Sequence, residues 1–273
     1  MITSASNTRI KKVAALNQKA KERRQEGRYV VEGVKMFLEA PEEEIEEVYV
    51  SEGFHNPACD RKLNGLHAEQ VSEEVFRKMS DTSTPQGILC VMKRKQYTPD
   101  DLLQAANPLL MLLEDIQDPG NLGTILRTGE GAGIDGVIMS RDTADIYNPK
   151  TIRSTMGSIY RVPFLYVSSL SDMIAELKQK KITVYAAHLK GKQWYDQADY
   201  SGGSAFLIGN EGNGLKEETA ALADSYIKIP MGGKVESLNA AMASGILMYE
   251  ASRQRRFMTD GAKSKILCNI CNN

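Results

Sequence analysis

From residue 109 onward, short apolar runs alternate with helical patterns, and no other feature of the chain restricts its fold as strongly. The runs at 109–113, 136–139, 162–167, 182–186, 205–208 and 226–229 read as buried strands. Helical periodicity fills most of the intervals, at 122–131, 149–157, 170–180 and 215–223, and a long pattern at 238–253 closes the series. Strands that alternate with helices predict a parallel sheet covered on both faces. Ligands of such sheets bind where loops leave the carboxyl ends of strands. The strand exits richest in Gly, Asn and charge are therefore the places to seek chemistry.

Upstream, residues 29–92 mix β-type runs (29–31, 48–50, 88–92) with helical stretches (33–40, 73–79), and the charged, Pro-punctuated segment 93–101 reads as a linker. The expected organisation is an N-terminal α/β domain at 1–97, a parallel-sheet α/β domain at 107–256 and a tail at 257–273. Hydrophobic residues at 42% and charged residues at 25% are ordinary for a globular chain and exclude disorder or a coiled coil as the whole answer. No apolar run approaches the roughly 18 residues that span a bilayer. Residues 1–9 carry no apolar signal core, and four cysteines do not make a disulfide framework, so a cytoplasmic protein outside the membrane is expected.

The near-zero net charge of −1 hides an asymmetry. Within residues 1–28, Arg9, Lys11, Lys12, Lys19, Lys21, Arg23, Arg24 and Arg28 face only Glu22 and Glu26, on a segment with helical periodicity. Such a cationic face suits phosphates, with Lys11, Lys12, Arg23 and Arg24 as candidate RNA contacts, although a solvated helix has the same composition. The acidic cluster Glu39, Glu42, Glu43, Glu44, Glu46 and Glu47 follows directly and cancels the charge.

Three strand exits stand out. D-P-G-N-L-G-T-I-L-R-T, residues 118–128, is turn chemistry running into a helix that Asn121 is placed to cap, with Thr124, Arg127, Thr128 and Gly131 on one face. Small polar residues around an Arg at a strand-to-helix junction suit a bound anion. L-I-G-N-E-G-N-G-L, residues 207–215, puts three glycines around the carboxylate of Glu211, where backbone can approach a ligand. I-P-M-G-G-K-V-E-S-L-N, residues 229–239, leads into a helix that Ser237 or Asn239 can cap, and whose first residues are small. Other patterns carry less. Gly131-x-Gly133-x-x-Gly136 lies after a helix and before a strand, the reverse of the dinucleotide-binding order. Cys268-x-x-Cys271 is half a zinc site without its other half, and His55, His67 and His188 sit in no triad-like context, so no metal is expected. Trp194 lies in a polar loop.

In this order, the three segments resemble the signature motifs of the SpoU/TrmH family of RNA ribose 2′-O-methyltransferases, within the SPOUT superfamily. Upstream, Ile2-Thr-Ser, Asn7, Arg28-Tyr-Val-Val-Glu-Gly33 and Pro85-Gln-Gly-Ile-Leu resemble the substrate-binding domain that precedes the catalytic domain in many members. The resemblance implies S-adenosyl-L-methionine as methyl donor, a trefoil knot in the C-terminal domain and a homodimer. It implies Asn121, Arg127, Glu211, Ser237 and Asn239 as the catalytic set, and Ile208, Gly209, Ile229, Met231 and Leu238 as cofactor contacts. Ala240-Ala241-Met242-Ala243 departs from the family's frequent Val-Ser-Val-Ala, a change expected to touch packing before chemistry. The resemblance also implies Arg127 as the general base, but a guanidinium holds its proton far above neutrality, so Arg127 is expected instead to grip phosphate and orient the 2′-oxygen, with Glu211 orienting Asn121 or Arg127. The expected substrate is 23S ribosomal RNA, with tRNA as the alternative. A silent RNA- or ribosome-binding protein of the same fold, and a methyltransferase acting on protein or a small molecule, are the rivals.

Overall fold

The computed structural model describes the backbone of residues 1–270 and the side chains of residues 1–256, so the Cys268 and Cys271 thiols lie outside the described residues. The chain separates into two compact units, one made of residues 1–96 and 145–161, the other of 97–144 and everything from 162 onward.

The first unit is built on a four-stranded sheet of β1 (Arg28–Glu32), β2 (Ile45–Ser51), β3 (Ala68–Val71) and β4 (Ile88–Lys93), in the order β1-β4-β2-β3. Its pairs are antiparallel except β2 with β3. The helix Thr8–Gln18 buries Ile10, Val13 and Leu16 in a core shared with Val30, Tyr49, Val71, Phe76 and Met79. The basic segment is two helices rather than one. Lys19 is extended (φ −125°, ψ 115°), and a second helix, Ala20–Glu26, follows it.

Arg23 shows why that break is needed. Its side chain is 3% exposed and turns inward. Nη1 donates to the carbonyls of Leu16 and Asn17 at the end of the first helix (2.7 and 3.1 Å), while Nε and Nη2 both donate to Asp145 Oδ2 (2.9 and 2.7 Å). The expected RNA contact at Arg23 is thereby corrected: a guanidinium committed to two carbonyls and a carboxylate in the interior is structural. Lys11, Lys12 and Arg24 stay exposed, whereas Arg9 pairs with Glu47 and Glu69 (3.3 and 2.9 Å).

Residues 145–161, expected in the second domain, instead pack within the first unit. Besides Asp145, Tyr147 is buried with its ring 4.5 Å from that of Tyr29 and the Arg94 guanidinium 4.5 Å from its centroid. Tyr160 Oη donates to the Met36 carbonyl (3.0 Å), and Arg161 pairs with Glu39 (2.9 Å).

The second unit carries β5 (Leu109–Leu113), β6 (Gly136–Ser140), β7 (Phe164–Val167), β8 (Thr183–Ala187), β9 (Gln193–Trp194), β10 (Ser204–Ile208) and β11 (Ser225–Lys228). They form one sheet in the order β7-β6-β5-β10-β8-β11-β9 with every neighbour parallel. The central strands are wholly buried, as a sheet covered on both faces requires. Only the two-residue β9 escapes the periodicity, and the pattern at 215–223 shrinks to the short helix Glu217–Ala220. The helix Pro119–Ala132 starts earlier than expected. Its cap is Asp118, whose Oδ1 accepts the Asn121 N–H (2.9 Å), so Asn121 lies in the first turn with its side chain released for other partners. The terminal helix, Ala240–Ile270, packs along it: a Cβ on Gly245 would stand 3.3 Å from Thr128 Cγ2, and one on Gly129 3.4 Å from Met248 Sδ. No described helix is long and apolar enough to cross a membrane.

Arg23→Ala is expected to destabilise the protein by about 3 kcal/mol, because it strands Asp145 and two helix-end carbonyls. A denaturant midpoint unchanged from wild type would show that the buried pair contributes nothing.

Candidate active site

Three adjacent parallel strands, β10, β8 and β11, end on one cavity of about 350 Å³. Its wall is formed by Ile208–Leu215 after β10, Ala187–Leu189 after β8, Ile227–Ile229 and Met231 after β11, and Glu236–Leu238, Ala240 and Ala243 where the terminal helix begins. All five expected cofactor contacts, Ile208, Gly209, Ile229, Met231 and Leu238, line this space, as do Glu211 and Ser237. Asn121, Asn239 and Arg127 are not part of the wall.

The loop after β10 doubles back on itself. Asn210 N–H donates to the Gly214 carbonyl (3.1 Å) and Gly214 N–H returns to that of Asn210 (2.9 Å). A Cβ on Gly209 would lie 2.2 Å from the Gly214 carbonyl carbon and 2.3 Å from the Leu215 nitrogen. Glycine is thus demanded here by the loop's own backbone, before any ligand is considered. Asn210 Oδ1 accepts the N–H groups of Gly212 and Asn213 (2.9 and 3.0 Å), and its Nδ2 reaches across to the Asp115 carbonyl (2.8 Å).

Glu211 is the hub. Its carboxylate accepts the Gln117 N–H (3.0 Å), the Asp118 N–H (3.1 Å) and the Asn121 side-chain amide (2.9 Å), all from the segment after β5. Burial alone would raise the Glu211 pKa, but the bonds from Gln117, Asn121 and Asp118 outweigh it and hold the carboxyl below its ordinary value. Asn121 Oδ1 in turn accepts from Asn239 Nδ2 (2.8 Å), and Asn239 Oδ1 caps the terminal helix by accepting the Ala241 and Met242 N–H groups (2.9 and 3.3 Å). Of the two expected caps, Asn239 is the one used. The direction of this chain is fixed at both ends, since helix N–H groups can only donate and a carboxylate can only accept. Glu211 therefore orients Asn121 and not Arg127.

Arg127 stands apart. It lies six residues beyond Asn121, about 9 Å along the helix axis, exposed and without a hydrogen bond or ion pair among the described residues. The structure thus joins Asn121, Glu211 and Asn239, sets Ser237 on the cavity wall, and leaves Arg127 presented to solvent. Trp194 lies off the cavity, under the Lys228 ammonium at 4.3 Å from its ring centroid.

Sequence reasoning missed several residues that hold this arrangement. Glu114, 3% exposed, accepts Lys216 N–H (2.8 Å) and Thr219 Oγ1–H (2.5 Å), anchoring the far end of the β10 loop to the exit of β5. Asp115 adopts a left-handed conformation (φ 54°) and binds Ser140 and Lys216. A carboxylate directly after the run of five apolar residues at 109–113 was the available signal. His188 was missed because β8 ends in no Gly-rich loop. Among the described residues no group of His, Cys, Asp and Glu is arranged to hold a metal ion.

Residues 108–249 match the model of the SpoU rRNA Methylase family, and residues 7–90 that of the MRM3-like substrate binding domain. The chain is 34% identical to the 23S rRNA (guanosine(2553)-2′-O)-methyltransferase RlmP of Bacillus subtilis, over 91% of this chain and 97% of that one. It is 33% identical to the 23S rRNA (guanosine-2′-O-)-methyltransferase RlmB of Pasteurella multocida, covering 83% and 97%. Among solved structures, the SpoU methyltransferase AviRb from Streptomyces viridochromogenes in complex with AdoMet superposes with a TM-score of 0.83 at 26% identity, covering 91% and 98%. With a family model that spans more than half its length and relatives that match nearly all of it, the chain belongs to the SpoU rRNA methylase family.

Proposed function

We propose that this protein transfers the methyl of S-adenosyl-L-methionine to a ribose 2′-hydroxyl of 23S ribosomal RNA. The observation that carries the reading is the cavity at the ends of β10, β8 and β11, set beside the Glu211–Asn121–Asn239 chain. The cavity suits the donor: Ile208, Leu215, Ile229, Met231 and Leu238 offer apolar wall for a purine, while Glu211 and Glu236 offer carboxylates to a cation. When bound, the donor supplies a methyl on a sulfonium. RlmP and RlmB, by name, act on 23S rRNA at guanosine, which favours ribosomal RNA over tRNA and over a silent RNA-binding role. Cys59 and Cys90, buried as free thiols, suit the reducing cytoplasm.

The chain's own work is positioning. Asn121, locked between Glu211 and Asn239, presents a fixed amide to the ribose. Arg127, with no hydrogen bond or ion pair among the described residues, is placed to take the adjacent phosphate and set the 2′-oxygen in line with the methyl carbon. Glu211, acidified by its three donors, is a poor base, so the 2′-OH proton is left to water as the oxygen–carbon bond forms and the carbon–sulfur bond breaks to leave a neutral thioether. Proximity and orientation supply most of the acceleration.

A second copy of the chain completes the assembly. The exposed face of the helix Pro119–Ala132 carries Thr124, Arg127, Thr128 and Gly131, and the terminal helix adds Met242 (61% exposed), Gly245 and Tyr249 (50%) beside it. Small residues flanked by exposed Met and Tyr make a self-complementary surface of the kind two-fold dimers use. We also place a trefoil knot in the segment from β10 to the terminal helix, whose loops share the cavity wall.

Three outcomes test these readings. Arg127→Ala and Asn121→Ala should each lower labelled-methyl transfer to ribosomal RNA at least a hundredfold, with donor affinity by calorimetry within about twofold of wild type; retained transfer removes them from the mechanism. Charge reversal at Lys11, Lys12 and Arg24 should weaken RNA binding and flatten its salt dependence, and an unaltered salt slope would place the RNA elsewhere. In sedimentation, wild type should run as a dimer and Met242→Glu as a monomer; a monomeric wild type refutes the two-copy assembly.

A further inference from the structure

The proposed chemistry leaves two ionisable groups on the cavity wall without a task, Lys228, which lies over the Trp194 ring, and His188. His188 is the first residue after β8, the middle of the three strands that end on the cavity. Its backbone is pinned on both sides: its N–H donates to the Ile227 carbonyl (2.9 Å), and its carbonyl accepts the Gly191 N–H (2.9 Å). The turn it opens is closed by Gly191, where a Cβ would stand 2.9 Å from the Ile227 carbonyl carbon, so the turn has little room to relax. The ring is equally constrained. Nδ1 accepts the Lys190 N–H (3.1 Å), which places the neutral ring's proton on Nε2, and the ring leans on Tyr226 at 5.0 Å between centroids.

Resting on the cofactor reading above, we propose that His188 is a charge-selective element of the donor site: neutral, it admits the sulfonium, and protonated, it disfavours the cationic donor more than the neutral thioether left after transfer. The charged groups around it are Lys190 and Glu217 beside its own turn, which pair with each other (3.1 Å), Lys228 on β11, and Glu211 and Glu236 on the facing loops, with Tyr226 beneath the ring. Burial first, then the Lys190 charge, lowers the His188 pKa against the opposing influence of Glu217. The imidazole is therefore neutral at pH 7 and gains its charge below the ordinary histidine value of about 6.5. A positive ring on the cavity wall opposes a second positive charge bound in the cavity, and a neutral ligand of the same shape is spared. Release of spent product is not hindered by the same device, because the thioether carries no charge at sulfur.

The test is calorimetric binding of S-adenosyl-L-methionine and S-adenosyl-L-homocysteine to the full chain at pH 8.0, 7.0, 6.0 and 5.5. The sulfonium makes the donor's amino group more acidic than that of the thioether, but between pH 7.0 and 5.5 both ligands keep that group protonated and the carboxylate ionised, so over this range their own titrations cancel in the ratio of affinities. In wild type that ratio should shift against the donor by about fivefold between pH 7.0 and 5.5, and in His188→Gln it should stay flat. A ratio independent of pH in wild type, or a shift that survives in His188→Gln, overturns the proposal. Wild type alone decides the first point should the variant fail to fold. Failure to bind either ligand at pH 8.0 would instead sink the cofactor reading and this proposal with it. Nitrogen-15 imidazole spectra give a second readout: the chain has three histidines, and the one perturbed by donor should be the Nε2–H tautomer, whereas an Nδ1–H form refutes the geometry.

Discussion

The carboxylate of Glu211 can only accept hydrogen bonds, and that asymmetry sets the direction of everything attached to it. Two backbone N–H groups and one side-chain amide converge on it from a segment 90 to 94 residues earlier in the chain. From the other end, the first N–H groups of the terminal helix can only donate, so Asn239 must turn its oxygen to them and its nitrogen to Asn121. Asn121 is caught between and has one orientation left. Three irregular loops are thus given a single arrangement by six hydrogen bonds whose polarity leaves no alternative. Removing the carboxylate would leave the Asn121 amide free to flip and two backbone donors without their acceptor.

This design separates holding from reacting. The network that includes Asn121 is closed on itself, and the residue expected to meet RNA phosphate, Arg127, is left outside it. A guanidinium engaged by Glu211 would have been neutralised and immobilised before substrate arrived. With Glu211 committed to amides instead, the positive charge on the helix face stays available. The acidification of Glu211 follows from the same bonds and fits an orienting anion better than a proton acceptor.

The alternation of apolar runs and helices was enough to read the parallel sheet and its ligand-bearing end, because periodicity is local and strong in buried strands. The cofactor contacts that the family resemblance implied at Ile208, Gly209, Ile229, Met231 and Leu238 line the cavity, the first four at strand exits and Leu238 where the terminal helix begins. What was illegible is non-local. Arg23 and Arg24 are neighbours of identical type, and only the presence of Asp145, 122 residues away, decides that one is interior and the other exposed. The exit of β8 became part of the site because the sheet order puts that strand between β10 and β11, a fact of topology that no window of sequence contains. The segment 145–161 follows a strand of one unit yet packs in the other, joined there by Tyr147, Tyr160 and Arg161 to residues far earlier in the chain.

The motifs themselves were legible for a reason that is partly structural. Gly209 is glycine because its own loop returns within van der Waals distance of it, whether or not a ligand is present. Asn239 caps a helix and Asp118 caps another, tasks that any helix start would set. Chemistry enters by reuse: the cap at Asn239 also fixes Asn121, and the tight loop at Gly209 also delivers Glu211. Residues that serve the fold and the site at once admit fewer substitutions than either role alone would demand. That double constraint is why short strings such as N-E-G-N-G and E-S-L-N stand out against the ordinary composition of the chain around them.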